Sequence, residues 1–267
     1  MVTRGAFVSP KRSLGQNFLV DPNICRRIVR TLGAPPGGPI LEIGPGRGAL
    51  TKILIEEHSL VMALEKDRDL VSWLHQEFPT LGLIHGDGLT FCWEKSVALP
   101  GLFIVGNLPY NIASPMIWEM VSRCQHWSAM VFMVQKEVAQ RLTASSGSGA
   151  YGALSAWVGN FVIPCYEFSV PAHVFRPRPK IESAVVRFVP HPDPAWAVAS
   201  ELSWVLKVLF QQRRKQLGSI LKAHWSFALE AWCARWYVDR RVRPEDLSPE
   251  VLRDLARVIG PNSQALK

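Results

Sequence analysis

Leu41-Glu42-Ile43-Gly44-Pro45-Gly46-Arg47-Gly48 sets three glycines between a short apolar run and a helical stretch. Glycine lets a backbone turn sharply and lets a ligand approach it closely, which suits the first strand-to-helix turn of an open α/β sheet. The third glycine comes one residue earlier than in the G-x-G-x-x-G of dinucleotide enzymes, so no pyrophosphate is implied. Downstream, apolar runs at 60–65, 81–85, 102–106 and 130–135 join the one at 39–44 as buried strands, and the stretches 50–58, 68–78, 115–122 and 136–144 between them read as helices. Continuous apolar strands alternating with helices mean a parallel sheet covered on both faces. Two later runs, 161–170 and 184–189, lack an intervening helix and read as a closing antiparallel pair joined by a Pro-rich loop. Upstream, Asp21 suits a helix N-cap, Pro22 the first helical position and Gly33 the stop, with Ile24, Ile28 and Leu32 on one face.

After Pro190 the pattern changes. His191-Pro192-Asp193-Pro194 reads as a linker, and 202–221, 227–236 and 249–259 read as helices. The expected domains are therefore 1–190, α/β, and 191–267, a small all-α domain. Trp225, Trp232 and Trp236 recur at helical spacing and read as core.

The chain has 267 residues, 48% of them hydrophobic and 19% charged, which excludes wholesale disorder. Its net charge of +8 points to a polyanionic partner, most often nucleic acid. Neither a spanning apolar run nor a secretory h-region is visible. The five cysteines are scattered without a C-x-x-C and the seven histidines do not cluster, which favours a reducing, cytoplasmic compartment and argues against a metal site.

Three further signals fall at successive strand ends, where such sheets bind ligands. Glu65 closes the second strand, where a carboxylate can accept from both hydroxyls of a ribose; Asp87, in Gly86-Asp87-Gly88, follows the third, where it can accept from an adenine amine. Asn107-Leu108-Pro109-Tyr110 follows the fourth. An adenine N6 amine is a poor nucleophile because its lone pair is delocalised. Two acceptors on its hydrogens, the Asn107 side-chain oxygen and the Leu108 carbonyl, favour the pyramidal form that attacks. Pro109 stiffens the turn and Tyr110 offers a stacking face.

With these motifs in order, the chain resembles the ribosomal RNA adenine N6,N6-dimethyltransferases, the kasugamycin-sensitivity enzymes and their relatives, from about residue 10 to 259. The resemblance also rests on Leu14-Gly15-Gln16-Asn17-Phe18-Leu19, Gln135-Lys136-Glu137-Val138, Tyr151-Gly152-Ala153-Leu154-Ser155, Val174-Phe175-Arg176-Pro177-Arg178-Pro179-Lys180 and Phe210-Gln211-Gln212-Arg213-Arg214-Lys215-Gln216-Leu217. It implies a Rossmann-like class I methyltransferase sheet, mostly parallel with a closing antiparallel strand, and S-adenosylmethionine as cofactor. It further implies that Gln16, Asn17 and Leu19 contact that cofactor, that Gly44 and Gly46 underlie its methionine part, and that Glu65 takes its ribose and Asp87 its adenine. Asn107 stands between cofactor and target, and Phe175 stacks on the target adenine opposite Tyr110. The implied partner is small-subunit ribosomal RNA in a pre-ribosomal particle, with Lys11, Arg12, Arg176, Arg178, Lys180, Arg213, Arg214 and Lys215 on its phosphates and the protein a monomer.

The departures are Leu14 where Phe is more usual, Gly88 where Ala or a larger residue is common, and Ser145-Ser146-Gly147-Ser148-Gly149 in place of a loop with Pro-Gly. Two alternatives stay open: a macrolide-resistance-type methyltransferase of large-subunit RNA, and a non-enzymatic assembly or transcription factor on the same fold.

Overall fold

The computed structural model describes residue 11 and residues 15–96 and 101–263; Arg12 and Leu14 lie outside the described residues. In chain order the elements are β1 (Phe18–Leu19), α1 (Pro22–Leu32), β2 (Ile40–Ile43), α2 (Ala49–Glu57), β3 (Val61–Glu65), α3 (Arg68–Glu77), β4 (Gly82–His85), α4 (Trp93–Ser96), β5 (Leu102–Asn107), α5 (Ala113–Arg123), β6 (Trp127–Gln135) and α6 (Lys136–Leu142). There follow α7 (Ala153–Gly159), β7 (Val162–Val170), β8 (Phe175–Arg176), β9 (Ser183–Pro190), α8 (Ala199–Phe210), α9 (Leu217–Ile220), α10 (Phe227–Trp236) and α11 (Pro249–Ser263).

The chain divides into two compact units, Met1–Ala139 with Pro164–Pro190, and Gln140–Ile163 with His191–Lys267. The second unit thus takes 140–163, which the expected boundary left in the first. The reason is local packing. α7 buries Ala156, Trp157 and Val158 and packs against α8 and α11, while Asn160 Nδ2 donates to the Pro249 carbonyl at 3.0 Å and Tyr151 Oη to that of Leu247 at 2.9 Å.

In the first unit seven strands run in the order β4-β3-β2-β5-β6-β9-β7. The pairs β2/β3, β3/β4, β2/β5 and β5/β6 are parallel and β6/β9 is antiparallel. The near-continuous apolar text of β5 and β6 is what a strand covered on both faces needs, and every residue from Leu102 to Gly106 and from Ala129 to Val134 is buried. The chain leaves β2 for β3 and β4, then returns to lay β5 on β2's other side. That reversal opens a crevice at the carboxyl ends of β2 and β5. α1 forms as its caps require: Asp21 accepts from the Asn23 and Ile24 N–H groups, and Gly33 closes it in the left-handed region.

Three findings depart from or add to the expected elements. First, Phe18 and Leu19 pair with Arg176 and Phe175 as a two-stranded antiparallel ribbon, an element outside those expected. Second, the helix expected over 202–221 breaks after Phe210, because the Leu217 and Gly218 N–H groups donate to the Val242 and Arg240 carbonyls, both at 2.8 Å, instead of to the preceding helical turn. Arg213, Arg214 and Lys215 therefore sit on a turn. Third, of the tryptophans read as core, only Trp232 is fully buried; Trp225 and Trp236 spend their indole N–H groups on Glu230 and Asp254 near the surface.

Phe132, fully buried in β6 with its ring centre 5.9 Å from that of Phe188, tests this core. Phe132→Ala is expected to cost about 3–5 kcal/mol of unfolding free energy in urea denaturation. A loss below about 1 kcal/mol would contradict the packing described.

Candidate active site

The crevice is a cavity lined by the N-terminal segment, the glycine turn and the ends of β3, β4 and β5. Gln16, Asn17, Leu19, Gly44, Gly46, Glu65, Asp87 and Asn107–Tyr110 all line it. The fold thus brings together five segments that lie apart in the chain.

Gly44 and Gly46 both hold positive φ, 65° and 57°, and a Cβ on Gly46 would lie 2.9 Å from the Phe18 ring. Only glycine leaves that floor open. The Gly46 N–H donates to Glu65 Oε2 at 3.3 Å and the Asp67 N–H to Oε1 at 2.8 Å, so the carboxylate is held at the rim by backbone. Burial pushes the Glu65 carboxyl up, and these N–H donors oppose it. Asp87 accepts from the Leu89 N–H at 3.1 Å and pairs with Lys66 at 2.7 Å; the ammonium holds its carboxyl below the usual range.

At the end of β5, Asn107 Nδ2 donates to the Asn17 carbonyl at 2.9 Å. That bond orients the amide so that Oδ1 lies on the opposite side, where it meets no donor among the described residues. The adjacent Leu108 N–H is taken by the Met133 carbonyl at 3.1 Å, while the Leu108 carbonyl meets no donor among the described residues. Two oxygens are therefore available side by side. The Tyr110 hydroxyl bonds Ser183 Oγ at 2.6 Å, which pins the ring at the cavity wall.

Phe175 is a correction. Its side chain is fully buried in the hydrophobic core with Leu19 and does not line the cavity, because pairing with β1 turns it inward. A ring covered on both faces cannot stack on a base. The basic residues also differ among themselves. Lys11 is bound to Asp67 and Asp69, both at 2.6 Å, and its backbone N–H to Gln16 Oε1 at 2.7 Å; it fastens the segment that carries Gln16 and Asn17. Arg176 donates to the His173 and Phe175 carbonyls at 3.0 and 2.9 Å, and Arg213 to the Tyr151 carbonyl at 2.8 Å and to Glu245 at 3.2 Å. Arg178, Lys180, Arg214 and Lys215 are exposed, with no ion pair among the described residues.

Sequence reasoning missed Glu42 as a site residue, though it stands inside the glycine motif. An acidic residue in a buried apolar strand was the available signal. It lines the cavity, is 1% exposed, and accepts from Thr51 Oγ1 at 2.6 Å.

The family model for ribosomal RNA adenine dimethylase matches residues 8–258. The chain belongs to that family. It is 45% identical over 251 residues to the ribosomal RNA small subunit methyltransferase A of Maridesulfovibrio salexigens, covering 93% of this chain and 95% of that one. Its fold is similar to that of a dimethyladenosine transferase from Plasmodium falciparum (TM-score 0.73, 23% identity, 93% and 98% of the two chains). It is also similar to that of the 23S rRNA methyltransferase ErmE (TM-score 0.69, 24% identity, 91% and 100%). Membership in a dimethylase family makes this chain a methyltransferase of the Rossmann-like class.

Burial pushes the Glu42 carboxyl of this dimethylase up to about 8, with the charge of Glu65 adding to the effect and Thr51 opposing it. Its ordinary value is 4.5, so between there and about 8 the folded chain holds a proton that the unfolded chain has lost, and stability falls as pH rises through that window. Glu42→Gln removes this share. The Tm of the variant minus that of the wild type is expected to climb from about pH 5 to about pH 8 and then level. A difference flat with pH would mean that Glu42 is charged in the folded chain.

Proposed function

We propose that this dimethylase transfers methyl groups from S-adenosylmethionine to N6 of two adjacent adenosines in a loop near the 3′ end of small-subunit ribosomal RNA, giving N6,N6-dimethyladenosine. It acts as a monomer in the cytoplasm, on a pre-ribosomal particle. The observation that carries the reading is the pair of unclaimed acceptors, Asn107 Oδ1 and the Leu108 carbonyl, at the mouth of a glycine-floored cavity.

The residues present fit the cofactor. The open backbone at Gly44 and Gly46 accommodates a close-lying chain, and the rim carboxylates Glu65 and Asp87 suit a ribose diol and an adenine amine. Gln16, Asn17 and Leu19 cover it. Asp87 already holds Lys66, so an adenine amine shares that carboxylate with the ammonium. S-adenosylmethionine, when bound, supplies a methyl group on a positively charged sulfur. Asn107 and Leu108 accept the hydrogens of the target amine and turn its lone pair outward, and Tyr110 stacks on the base. Their placement supplies alignment at near-attack distance. No strong base is needed, since the amine proton becomes very acidic once nitrogen carries four bonds. After one transfer a single N–H remains, so one of the two acceptors then serves a methylated amine. A stacked base cannot reach the cavity, which favours looped or flipped adenosines. Arg178, Lys180, Arg214 and Lys215 supply phosphate contacts that position RNA without reading its sequence, with Arg176 and Arg213 also holding their own turns. The 45% identity to a small-subunit enzyme supports that subunit over the large one.

The test is incubation with labelled cofactor and under-methylated small subunits, with large subunits as control, followed by nucleoside analysis. Wild type is expected to place label in N6,N6-dimethyladenosine of the small subunit alone. Asn107→Ala is expected to lower kcat about 10²–10³-fold while cofactor still binds. Normal transfer by Asn107→Ala, or label confined to the large subunit, would overturn the reading. For RNA docking, Arg214→Ala with Lys215→Ala is expected to weaken RNA binding and flatten its dependence on salt by about two units of log–log slope. An unchanged slope would remove those two residues from the RNA contact.

A further inference from the structure

Tyr237 closes α10 in the left-handed region, at φ 53° and ψ 36°, with 96% of its surface exposed. Helices commonly end in that conformation, but on glycine or asparagine, because a side chain there crowds the backbone. The cap itself is made by backbone: the Tyr237 and Val238 N–H groups donate to the Ala234 and Cys233 carbonyls at 3.4 and 2.9 Å. The ring adds nothing to that cap and buries almost nothing. Phe227, at the helix's other end, is also 90% exposed, but on unstrained backbone outside the arginine-rich turn. A strained backbone carrying an unpacked aromatic is a cost the fold does not recover within the chain.

Its surroundings are cationic. The stretch Arg235-Trp236-Tyr237-Val238-Asp239-Arg240-Arg241-Val242-Arg243 holds four arginines against one aspartate. Arg241 is 78% exposed at its side chain and, among the described residues, pairs with Asp239 two residues away; Arg240 lies over the Trp225 ring at 4.3 Å and pairs with Glu230. Such exposed pairs are weak and exchange readily for a phosphate. This turn also abuts the earlier basic one. The bonds from the Leu217 and Gly218 N–H groups to the Val242 and Arg240 carbonyls hold 213–218 alongside 240–242, so Arg214 and Lys215 extend the same patch. An exposed ring amid cations is how proteins grip an unpaired nucleotide: the base stacks and the backbone phosphates meet the charges.

We infer that Tyr237 is a stacking platform for an unpaired base of the RNA substrate, flanked by Arg240 and Arg241 on its phosphates. This second RNA anchor, on the helical unit, rests on the proposed activity toward ribosomal RNA.

Binding of the full chain to a fluorescein-labelled 12-nucleotide unpaired RNA and to under-methylated small subunits tests it, beside Tm and methyl transfer. Tyr237→Gly and Tyr237→Asn suit the left-handed backbone, so Tm is expected to hold or rise while affinity for both RNA probes falls about tenfold. Tyr237→Phe and Tyr237→Trp are expected to bind within about twofold of wild type. Arg241→Ala is expected to lower the salt slope by about one, which the Tyr237 variants leave alone. Wild-type RNA affinity in Tyr237→Gly and Tyr237→Asn would overturn the inference. So would a loss on subunits but not on the isolated RNA, which would assign the ring to a ribosomal protein. If wild type methylates small subunits while these variants bind as it does, only this inference fails; if wild type transfers no methyl group, the proposed function fails first.

Discussion

A hydrogen bond from a side-chain amide to a main-chain carbonyl, Asn107 Nδ2 to Asn17 O, sets the geometry on which the site depends. A carboxamide can rotate to present either a donor or an acceptor. Anchoring its nitrogen on Asn17 decides the matter by turning Oδ1 to the opposite side of the amide. That constraint reaches outward. Asn17 precedes the ribbon formed by β1 and β8, and Gln16 and Lys11 fasten the same segment to Asp67 and Asp69 at the start of α3. The segment that covers the cavity is thus also the segment that orients the acceptor.

Beneath it the cavity has two buried carboxyl groups with different duties. Glu65 is held by two backbone N–H donors, which oppose the upward push that burial gives its carboxyl. Glu42, deeper and supported among the described residues by Thr51, keeps its proton near neutrality. Environment, not residue type, separates the two.

Much of this was legible in the sequence, for a physical reason. Strands buried on both faces write themselves as unbroken apolar runs, so β2, β3, β5 and β6 stood out, and polar residues at their carboxyl ends stood out against them. Asn107 and Glu65 are legible that way, and both line the cavity. What escaped depends on contacts between distant segments. Phe175, set among arginines and prolines, reads as an exposed ring, yet two residues of pairing with Phe18 and Leu19 turn it into the core. Lys11 and Arg213 read as free charges until their partners, 56 and 32 residues away, come into place. The helix over 202–221 had an acceptable period, and only the carbonyls of Arg240 and Val242 reveal why it stops. Tyr237 left no mark in the hydropathy pattern, because its oddity lies in a backbone angle.

The most direct test is a crystal structure with sinefungin, an unreactive analogue of the proposed cofactor. Its ribose is expected on Glu65, its adenine amine on Asp87, and its amine-bearing end over Gly44 and Gly46 with Asn107 Oδ1 facing the open side. Sinefungin bound away from this crevice, or Asn107 rotated so that its nitrogen faces the opening, would contradict that arrangement.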